Sequence, residues 1–176
     1  MLVKRAMSKN VVSVSVPGNR EKVLDLMRKE DKAVLPVVKG DTKQLVGLIT
    51  RSDLIVNPDE EQIAILMSTD LVTASPDDDV KDVAKKMIDN NVRRVPVVDD
   101  NGDLVGIITS FDLVSNALIK LESDDPVENF MITTVPTTWY KTPLNVAFET
   151  MKQFGLKSVL ALNDSAKLVG ILTETD

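Results

Sequence analysis

The chain has no cysteine and no histidine among its 176 residues. These absences exclude disulfides, thiolate nucleophiles, thiolate zinc sites and imidazole general bases. Only carboxylates, hydroxyls and lysines remain for chemistry, which counts against an enzyme. We therefore expect no catalytic residues, no metal site and no resident cofactor.

Long apolar runs and basic clusters are also missing. The first ten residues contain no apolar region of signal-peptide length, and no later stretch reaches the roughly 20 apolar residues of a membrane span. The formal net charge is -6, and the longest basic clusters are pairs such as Arg93-Arg94. A nucleic-acid backbone would therefore be repelled. We expect a cytoplasmic protein without a membrane or nucleic-acid partner.

Aromatic residues make up only 3% of the chain, whereas hydrophobic residues make up 43% and charged residues 27%. This balance is typical of a globular protein with a core. Because Val, Leu and Ile supply most of the apolar content, and Val favours half-buried strands, a fold that contains β-strands is indicated.

Three copies of one unit cover the chain, as a comparison of the sequence with itself shows. Each copy has two methionines 20 residues apart, and the pairs are Met7 with Met27, Met67 with Met87, and Met131 with Met151. Each copy closes on a Gly followed by apolar residues and Thr-x-x-Asp. These closing segments read GLITRSD from Gly47, GIITSFD from Gly106 and GILTETD from Gly170.

Each copy is predicted to form a strand, a helix, two strands and a helix. In the first copy, VVSVSV alternates as a strand does, and Val23, Leu26 and Met27 recur at helical spacing. The runs LPVV and LVGLIT flank a polar turn, as in a hairpin. The predicted fold class is α/β (α+β), with small three-stranded sheets that pack in pairs because one alone buries too little.

Polar and acidic segments at Asn57 to Gln62 and at Glu122 to Glu128 are interpreted as linkers. The predicted units are therefore 1–58, 59–121 and 122–176. The third unit lacks the final helix, since its match ends at Asp176. Two explanations stay open: a longer chain with a fourth copy, or a closing helix borrowed from elsewhere.

The second copy resembles a CBS domain, the module named after cystathionine β-synthase. The resemblance is carried by its M-x-x-x-x-V opening, its VRRVPVVD centre and its LVGIITSFDL close, and it covers nearly the whole chain. It implies a tandem pair with a pseudo-two-fold axis, called a Bateman module, plus a third unit. It also implies a regulatory, non-catalytic module that binds AMP, ADP, ATP or an S-adenosylmethionine-like ligand in the cleft between units.

The family's ligand residues can be carried over to matching positions. In the second copy, the resemblance implies that Asp112 holds ribose hydroxyls and Thr109 approaches phosphate. The residues implied at the adenine there are Val72, Thr73, Val95 and Pro96, and those implied at the phosphate are Arg93 and Arg94. The matching residues of the first copy are Thr50, Asp53, Val12, Ser13, Leu35 and Pro36. The third copy matches only at Thr173 and Asp176.

The copies depart from the pattern in different ways. In the first, Ala33 and Val34 replace the two arginines, and in the third, Pro136 and Leu160 replace the Val and the Pro. Only the second copy has the full set of residues, so we predict the first ligand at Thr109 to Asp112.

The Thr-x-x-Asp segments also have a purely structural interpretation, the capping box at the start of a helix. The same helix start presents free N–H groups to an anion, so the two interpretations share one geometry. The neighbouring Arg93 and Arg94 favour a phosphate, since guanidinium groups are planar, bidentate donors.

Two further motifs have competing interpretations. The acidic segment PDDDVKD, from Pro76 to Asp82, suits either a divalent cation or a helix start, and we prefer the helix start. Trp139 and Tyr140 are the only Trp and Tyr, and they either stack on a base or pack in the core or at an interface. We prefer packing.

Three functions therefore compete. The leading hypothesis is a sensor in which an adenosine-containing ligand biases the orientation of the units, which an unidentified partner protein detects. The second is a structural module that forms a homodimer through its units and binds no ligand. The third is the regulator of an attached or partner domain that is an enzyme or binds nucleic acid.

Overall fold

The computed structural model describes residues 1–118, 125–173 and 176. Internal contacts divide the chain into an N-terminal unit, Met1–Glu122, and a C-terminal unit, Ser123–Asp176. The first two repeats lie in the N-terminal unit and the third in the C-terminal unit. The boundary predicted between residues 121 and 122 lies outside the described residues.

Repeat 1 has the predicted order of elements. They are β1 (Val14–Val16), α1 (Arg20–Lys29), β2 (Val34–Lys39), β3 (Leu45–Thr50) and α2 (Arg51–Val56). The strands form one three-stranded sheet in the order β1-β2-β3, with β1 parallel and β3 antiparallel to β2. The mixed α/β class with small sheets is confirmed.

Repeat 2 differs from the prediction in its first strand. Its elements are α3 (Ile63–Leu66), α4 (Val80–Asp89), β4 (Arg94–Val98), β5 (Leu104–Thr109) and α5 (Ser110–Leu118). The predicted first strand is reduced to a single parallel bridge between Ala74 and Val97, so the sheet has two strands. The strand stops because the chain turns directly after Ala74, where Asp78 N–H donates to the Ser75 carbonyl at 3.1 Å.

Repeat 3 again has three strands. A 3-10 turn (Val127–Asn129) precedes β6 (Thr137–Trp139), α6 (Leu144–Gln153), β7 (Ser158–Leu162) and β8 (Leu168–Thr173). β6 is parallel and β8 antiparallel to β7. The sequence predicts that this repeat lacks its final helix, which would follow β8. Residues 174 and 175, directly after β8, lie outside the described residues.

The second methionine of each repeat fills a core. Met27 on α1, Met87 on α4 and Met151 on α6 are buried, each one turn after another buried residue of its helix. The helical spacing in the sequence predicted these core-facing stripes, and the prediction is confirmed.

The leading segments of repeats 1 and 2 are exchanged. Val3, near the start of repeat 1, is fully buried in the core of repeat 2, where it packs with Val83 and Ile108. Conversely, Ile63 and Leu66 of repeat 2 are buried in the core of repeat 1. Each of the two cores is therefore complete only when the other repeat is present.

Backbone bridges and glycines hold this exchange. Ser8 bridges Ile107, with N–H to carbonyl distances of 2.9 and 3.0 Å, and Ser68 bridges Leu48 in the same way. At the preceding position in each of these strands, a Cβ built on Gly106 would lie 2.5 Å from Met7 Sδ, and one on Gly47 would lie 2.5 Å from Met67 Sδ. Glycine is required there because a methionine of the other repeat lies against the backbone.

No helix within the described residues is both long enough and apolar enough to cross a bilayer.

Candidate functional site

The Thr-x-x-Asp segments of repeats 1 and 2 form capping boxes. At the start of α5, Thr109 N–H and the Thr109 hydroxyl donate to Asp112 Oδ2 at 2.8 and 2.7 Å, and Asp112 N–H donates to Thr109 Oγ1 at 3.1 Å. Thr50 and Asp53 repeat this geometry at α2, with distances of 2.8, 2.8 and 3.2 Å. The capping interpretation is confirmed.

The cap leaves part of each carboxylate available. Both bonds that Asp112 accepts end on Oδ2, and the same holds for Asp53. Among the described residues, neither Oδ1 accepts a hydrogen bond. A carboxylate fixed through one oxygen can accept hydroxyl donors on the other, so capping and ligand binding are compatible at one residue.

The corresponding pair in repeat 3 makes two of these bonds, and Asp176 N–H donates to the Thr173 carbonyl at 3.2 Å. Thr173 N–H and the Thr173 hydroxyl each donate to Asp176 Oδ2 at 2.8 Å. The hydroxyl, followed by the N–H, holds the pKa of the Asp176 carboxyl below its ordinary value. This pair belongs to the C-terminal unit.

A cavity of about 330 Å³ lies between repeats 1 and 2. Repeat 1 contributes the segment before β1 and the α1–β2 turn with the start of β2. Repeat 2 contributes the start of β4 and the junction of β5 with α5. The lining residues are Ser8, Asn10, Val11, Val12, Asp31, Lys32, Ala33, Val34, Leu35, Pro36, Arg94, Ile107, Thr109 and Asp112.

The cavity combines an apolar wall with charged groups. The half-buried Val12 and the buried Pro36 lie along one side, next to Leu35, which is packed in the core of repeat 1. Lys32 and Arg94 are exposed, and within the described part of the chain neither lies within 4.0 Å of a carboxylate oxygen. The cavity can therefore offer an apolar surface, two cations and the carboxylates of Asp31 and Asp112 to one ligand.

The structure groups the candidate residues differently from the sequence. Thr109 and Asp112 of repeat 2 line a cavity with Val12, Leu35 and Pro36 of repeat 1. The residues of repeat 2 that the resemblance placed around the same ligand do not line it; they are Val72, Thr73, Val95 and Pro96. The exchanged segments explain the difference, because the bridge between Ser8 and Ile107 places the start of repeat 1 beside the last strand of repeat 2.

The remaining candidates lie at other surfaces. Arg93 lines an apolar groove between α4 and α5, away from its neighbour Arg94, as expected for consecutive residues at the start of a strand. Ser13 lines a separate small cavity with Lys9 and Lys43. Of the two arginines, only Arg94 faces the cavity with Asp112.

Sequence reasoning missed four polar residues of this cavity: Ser8, Asn10, Asp31 and Lys32. A signal for Lys32 was present, since it directly precedes Ala33, the position at which repeat 2 has its first arginine. The cation of repeat 1 is displaced by one residue. Ser8 and Asn10 carry no comparable signal because they reach the cavity only through the exchange.

The acidic segment of repeat 2 starts a helix, as we preferred. Asp79 is the N-cap of α4 and accepts from Lys81 N–H at 2.9 Å, while Asp77 pairs with Lys4 at 2.6 Å. Asp78 accepts from Ser75 N–H at 3.2 Å and pairs with Lys86 at 3.1 Å. Within the described ranges, no group of three or more acidic side chains is arranged to hold a metal ion.

Asp78 gives a testable pH dependence. Burial alone would raise the pKa of its carboxyl, but the Ser75 N–H and the Lys86 ammonium outweigh burial and hold the pKa below its ordinary value of 3.8. A carboxyl whose pKa is lower in the folded than in the unfolded state stabilises the folded state at pH values above the unfolded-state pKa. This stabilisation is lost as the pH falls through the folded-state pKa. We expect Asp78→Asn to lower the free energy of unfolding by roughly 0.5 to 1 kcal/mol at neutral pH. In urea titrations, the difference from the unsubstituted protein should shrink as the pH falls below 3.8 and should vanish once the pH is below the lowered pKa of Asp78 in the folded state.

The control is Asp77→Asn, whose carboxylate pairs with Lys4 at a more exposed position. This variant should stay within about 0.5 kcal/mol of the unsubstituted protein at neutral pH. If Asp78→Asn and Asp77→Asn were indistinguishable at neutral pH, the role assigned to the Asp78 pair would be wrong.

Trp139 and Tyr140 lie on the surface of the C-terminal unit and not in its core. Both are nearly half exposed, and their rings meet edge to face with centroids 5.7 Å apart. The Lys141 ammonium lies 5.6 Å from the Trp139 ring centroid and 5.1 Å from that of Tyr140. Trp139 Nε1 donates to Asp164 at 2.9 Å. Packing in the core is therefore wrong, and packing at an interface stays a prediction.

The fold and the cavity together define a class: a repeat protein in which two small α/β units exchange segments and enclose a space of ligand size. The chain belongs to the CBS domain family. The sequence model of that family matches residues 3–58, 61–118 and 127–176, one match for each repeat. The resemblance inferred from the sequence is confirmed.

Three solved structures place the chain among its relatives. The structure of protein MJ1225 of Methanocaldococcus jannaschii superposes on 99% of this chain, and the match covers 70% of the MJ1225 chain. The TM-score is 0.82 and the sequence identity is 21%, so this likeness shows the fold. The CBS domain pair of protein MJ0100, solved with 5′-methylthioadenosine and S-adenosyl-L-methionine, matches 69% of this chain and 98% of its own at 32% identity and a TM-score of 0.62. CBSX2, solved with AMP, matches 68% of this chain over 98% of its own chain, with 25% sequence identity and a TM-score of 0.62.

Curated relatives are longer than the matched regions. Uncharacterized proteins of Methanopyrus kandleri and M. jannaschii are 30% to 36% identical to this chain over the matched regions. These regions make up 42% to 44% of the length of each relative. One of these matches extends over 99% of this chain.

Proposed function

We propose that the N-terminal unit is a non-enzymatic sensor of an adenosine-containing ligand, bound in the cavity between repeats 1 and 2. The observation that carries this proposal is that Asp112 of repeat 2 lines one cavity together with apolar residues of repeat 1 and with the cations Lys32 and Arg94. The relatives solved with AMP, and with 5′-methylthioadenosine and S-adenosyl-L-methionine, support it.

Each part of such a ligand finds a complementary group. The free Oδ1 of Asp112 suits the vicinal hydroxyls of a ribose, because a carboxylate accepts two hydroxyl donors readily. The apolar wall at Val12, Leu35 and Pro36 suits the face of a purine. Lys32 and Arg94 can neutralise a phosphate, and the positive end of the α5 helix dipole adds positive potential.

Repeats 1 and 2 have corresponding residues at most positions, and this correspondence gives a candidate second site. By the repeat register, the counterpart of Asp112 is Asp53, capped by Thr50. The counterparts of Val12, Ala33, Leu35 and Pro36 are Val72, Arg93, Val95 and Pro96, with Thr73 beside Val72. We propose this set as a second, reciprocal site.

Ligand binding between the repeats gives a means of regulation. A ligand that contacts both repeats binds only when they have one relative orientation, so it favours that orientation. We propose that an unidentified partner protein or an attached domain detects the change. Self-association through CBS units and the cytoplasmic location expected from the sequence also stay predictions.

A thermal-shift panel tests the proposal with AMP, ADP, ATP, 5′-methylthioadenosine, S-adenosylmethionine and NADH. A ligand that binds only the folded state stabilises it by about 2.7 kcal/mol at 100 times its dissociation constant. At least one adenosine compound should therefore raise the melting temperature measured by circular dichroism. If none shifted it at millimolar concentration, the sensor function would be rejected.

The panel also separates the parts of the site. Lys32→Gln and Arg94→Gln should reduce the shift caused by AMP, because each removes a cation from the phosphate position. Both should leave the shift caused by 5′-methylthioadenosine unchanged, since that compound has no phosphate. Equal losses for both compounds would contradict the assignment of these two cations to the phosphate.

A further inference from the structure

The turn after the first long helix of each repeat has the same backbone but a different side chain. In each repeat the residue after the helix cap is left-handed, and the next N–H closes a Schellman motif on a carbonyl of the last turn. The left-handed residues are Asp31, Asn91 and Gly155, with φ of 48°, 52° and 62°. The closing bonds are 2.9, 2.9 and 2.8 Å long and join Lys32 to Met27, Val92 to Met87 and Leu156 to Met151. Asn and Gly complete this turn, so the backbone does not require a carboxylate in repeat 1.

The Asp31 carboxylate is unfavourable for the helix that it follows. A helix has partial negative charge at its C-terminus, so an acidic side chain there is repelled, whereas Asn and Gly are not. Among the described residues, no cation lies within 4.0 Å of the Asp31 carboxylate to offset this repulsion. The stability of the fold therefore does not account for the negative charge.

Asp31 lines the cavity between repeats 1 and 2. It directly precedes Lys32, which together with Arg94 is assigned above to the phosphate of the ligand. Asp112, assigned to the ribose, is the other carboxylate of the described lining. The part of the cavity beyond the ribose therefore has two positive charges and one negative charge.

We propose that Asp31 is a specificity-determining residue that disfavours polyphosphates, so that the ligand of this cavity is an adenosine compound with one phosphate or none. Lys32 and Arg94 can neutralise one phosphate group. Each further phosphate adds negative charge, which finds no additional cation in the described lining and is repelled by the Asp31 carboxylate. This inference rests on the proposed sensor function and narrows its class of ligand.

Isothermal titration calorimetry of the full chain with ATP, AMP and 5′-methylthioadenosine, without divalent cations, tests the proposal. The unsubstituted protein should bind AMP about 5-fold more tightly than ATP, or more. Asp31→Asn should raise the affinity for ATP about 5-fold, because it removes the repulsion of the added phosphates. It should leave the affinity for the uncharged 5′-methylthioadenosine unchanged. Asn is the appropriate replacement, because Asn91 has the same left-handed backbone.

The matched control is Asp25→Asn, which removes the same charge from the exposed side of α1, outside the cavity lining. It should leave the ratio of the AMP and ATP dissociation constants unchanged, which excludes an effect of net charge. Without ligand, Asp31→Asn should raise the melting temperature by about 1 to 3 °C, because it removes a negative charge from the end of α1. A lower melting temperature would show that the carboxylate serves the fold, and it would overturn the inference.

Three binding results would also overturn the inference: equal affinity of the unsubstituted protein for AMP and ATP, a ratio that Asp31→Asn does not change, or a ratio that Asp25→Asn changes as much. The titrations with ATP are repeated with Mg²⁺. If Asp31→Asn then weakened binding, Asp31 would hold a phosphate-bound cation, which is the opposite of the proposed role.

The same titrations separate the two levels of the argument. Binding of AMP without discrimination against ATP would reject the role of Asp31 and leave the sensor function standing. Binding of none of the three compounds, by the unsubstituted protein or by either variant, would reject the sensor function and this inference together.

Discussion

Replacing Ile63 with alanine is expected to lower the free energy of unfolding of the N-terminal unit by about 2 to 5 kcal/mol. Ile63 precedes most of repeat 2 in the chain, yet its side chain is fully buried in the core of repeat 1 with Val23 and Leu54. Removing its outer carbons leaves a cavity that the surrounding strands and helices cannot fully close. Urea unfolding of the full chain, followed by circular dichroism, measures the effect.

Ile65→Ala is the matched control, because it makes the same substitution two residues later in the same short helix. The Ile65 side chain is 65% exposed, so its loss should change the free energy by no more than about 0.5 kcal/mol. Trp139 fluorescence reports only on the C-terminal unit, so its unfolding midpoint should be the same in both variants. Equal destabilisation by the two substitutions would show that the exchange of segments does not occur.

The second large effect is expected for ligand affinity. Asp112→Ala should weaken binding of AMP and of 5′-methylthioadenosine alike, because both have a ribose with vicinal hydroxyls. A hydrogen bond to a charged group contributes about 1.5 to 3 kcal/mol, so each lost bond should raise the dissociation constant about 10- to 100-fold. Isothermal titration calorimetry on the full chain measures both constants.

Asp112→Ala also removes one half of the capping box at α5, which costs about 1 kcal/mol of stability, so the control must remove a capping side chain elsewhere. Asn19→Ala does so, since Asn19 accepts from Lys22 N–H at 3.1 Å at the start of α1 and lies outside the cavity. Asn19→Ala should lower stability by a similar amount and leave both dissociation constants unchanged. If the two variants bound AMP equally well, Asp112 would be a cap alone.

The two tests are independent because they concern different consequences of the exchange. Ile63→Ala tests whether the two cores of the N-terminal unit are shared, and Asp112→Ala tests whether the cavity created between the repeats binds a ligand. A stable, exchanged unit that binds no adenosine compound would retain the fold described above and reject the sensor.

Much of the fold was predictable from the sequence because the relevant forces are local. The alternation in VVSVSV predicted β1, and the spacing of Val23, Leu26 and Met27 predicted α1. The start of α4 at Asp79 followed from Pro76 and the acidic residues after it. The one strand that was wrongly predicted, before Ser75, is a case in which a tight turn ends the strand after a single bridge.

The candidate site was predictable only in part, for the same reason. The cap between Thr109 and Asp112 is formed by residues three apart, so the sequence was enough to place it. Which apolar wall faces Asp112 depends on the packing of one repeat against the other. Lys32 is partly predictable. Its place beside Ala33 is visible in the sequence, but its role as a second cation follows only from the structure, in which it lines the same cavity as Arg94.

The sequence by itself determined the three repeats, the class of their elements, the CBS family and the helix caps, because repetition, periodicity and capping are properties of neighbouring residues. Only the tertiary structure decided that Val3 completes repeat 2 and that Ile63 completes repeat 1. It also decided that Asp112 faces the wall of repeat 1 and that Asp31 lines the same cavity. The physical reason is common to these cases: equivalent repeats carry nearly equivalent segments, so local sequence cannot specify which copy a segment contacts, and the burial of apolar surface between copies makes that choice.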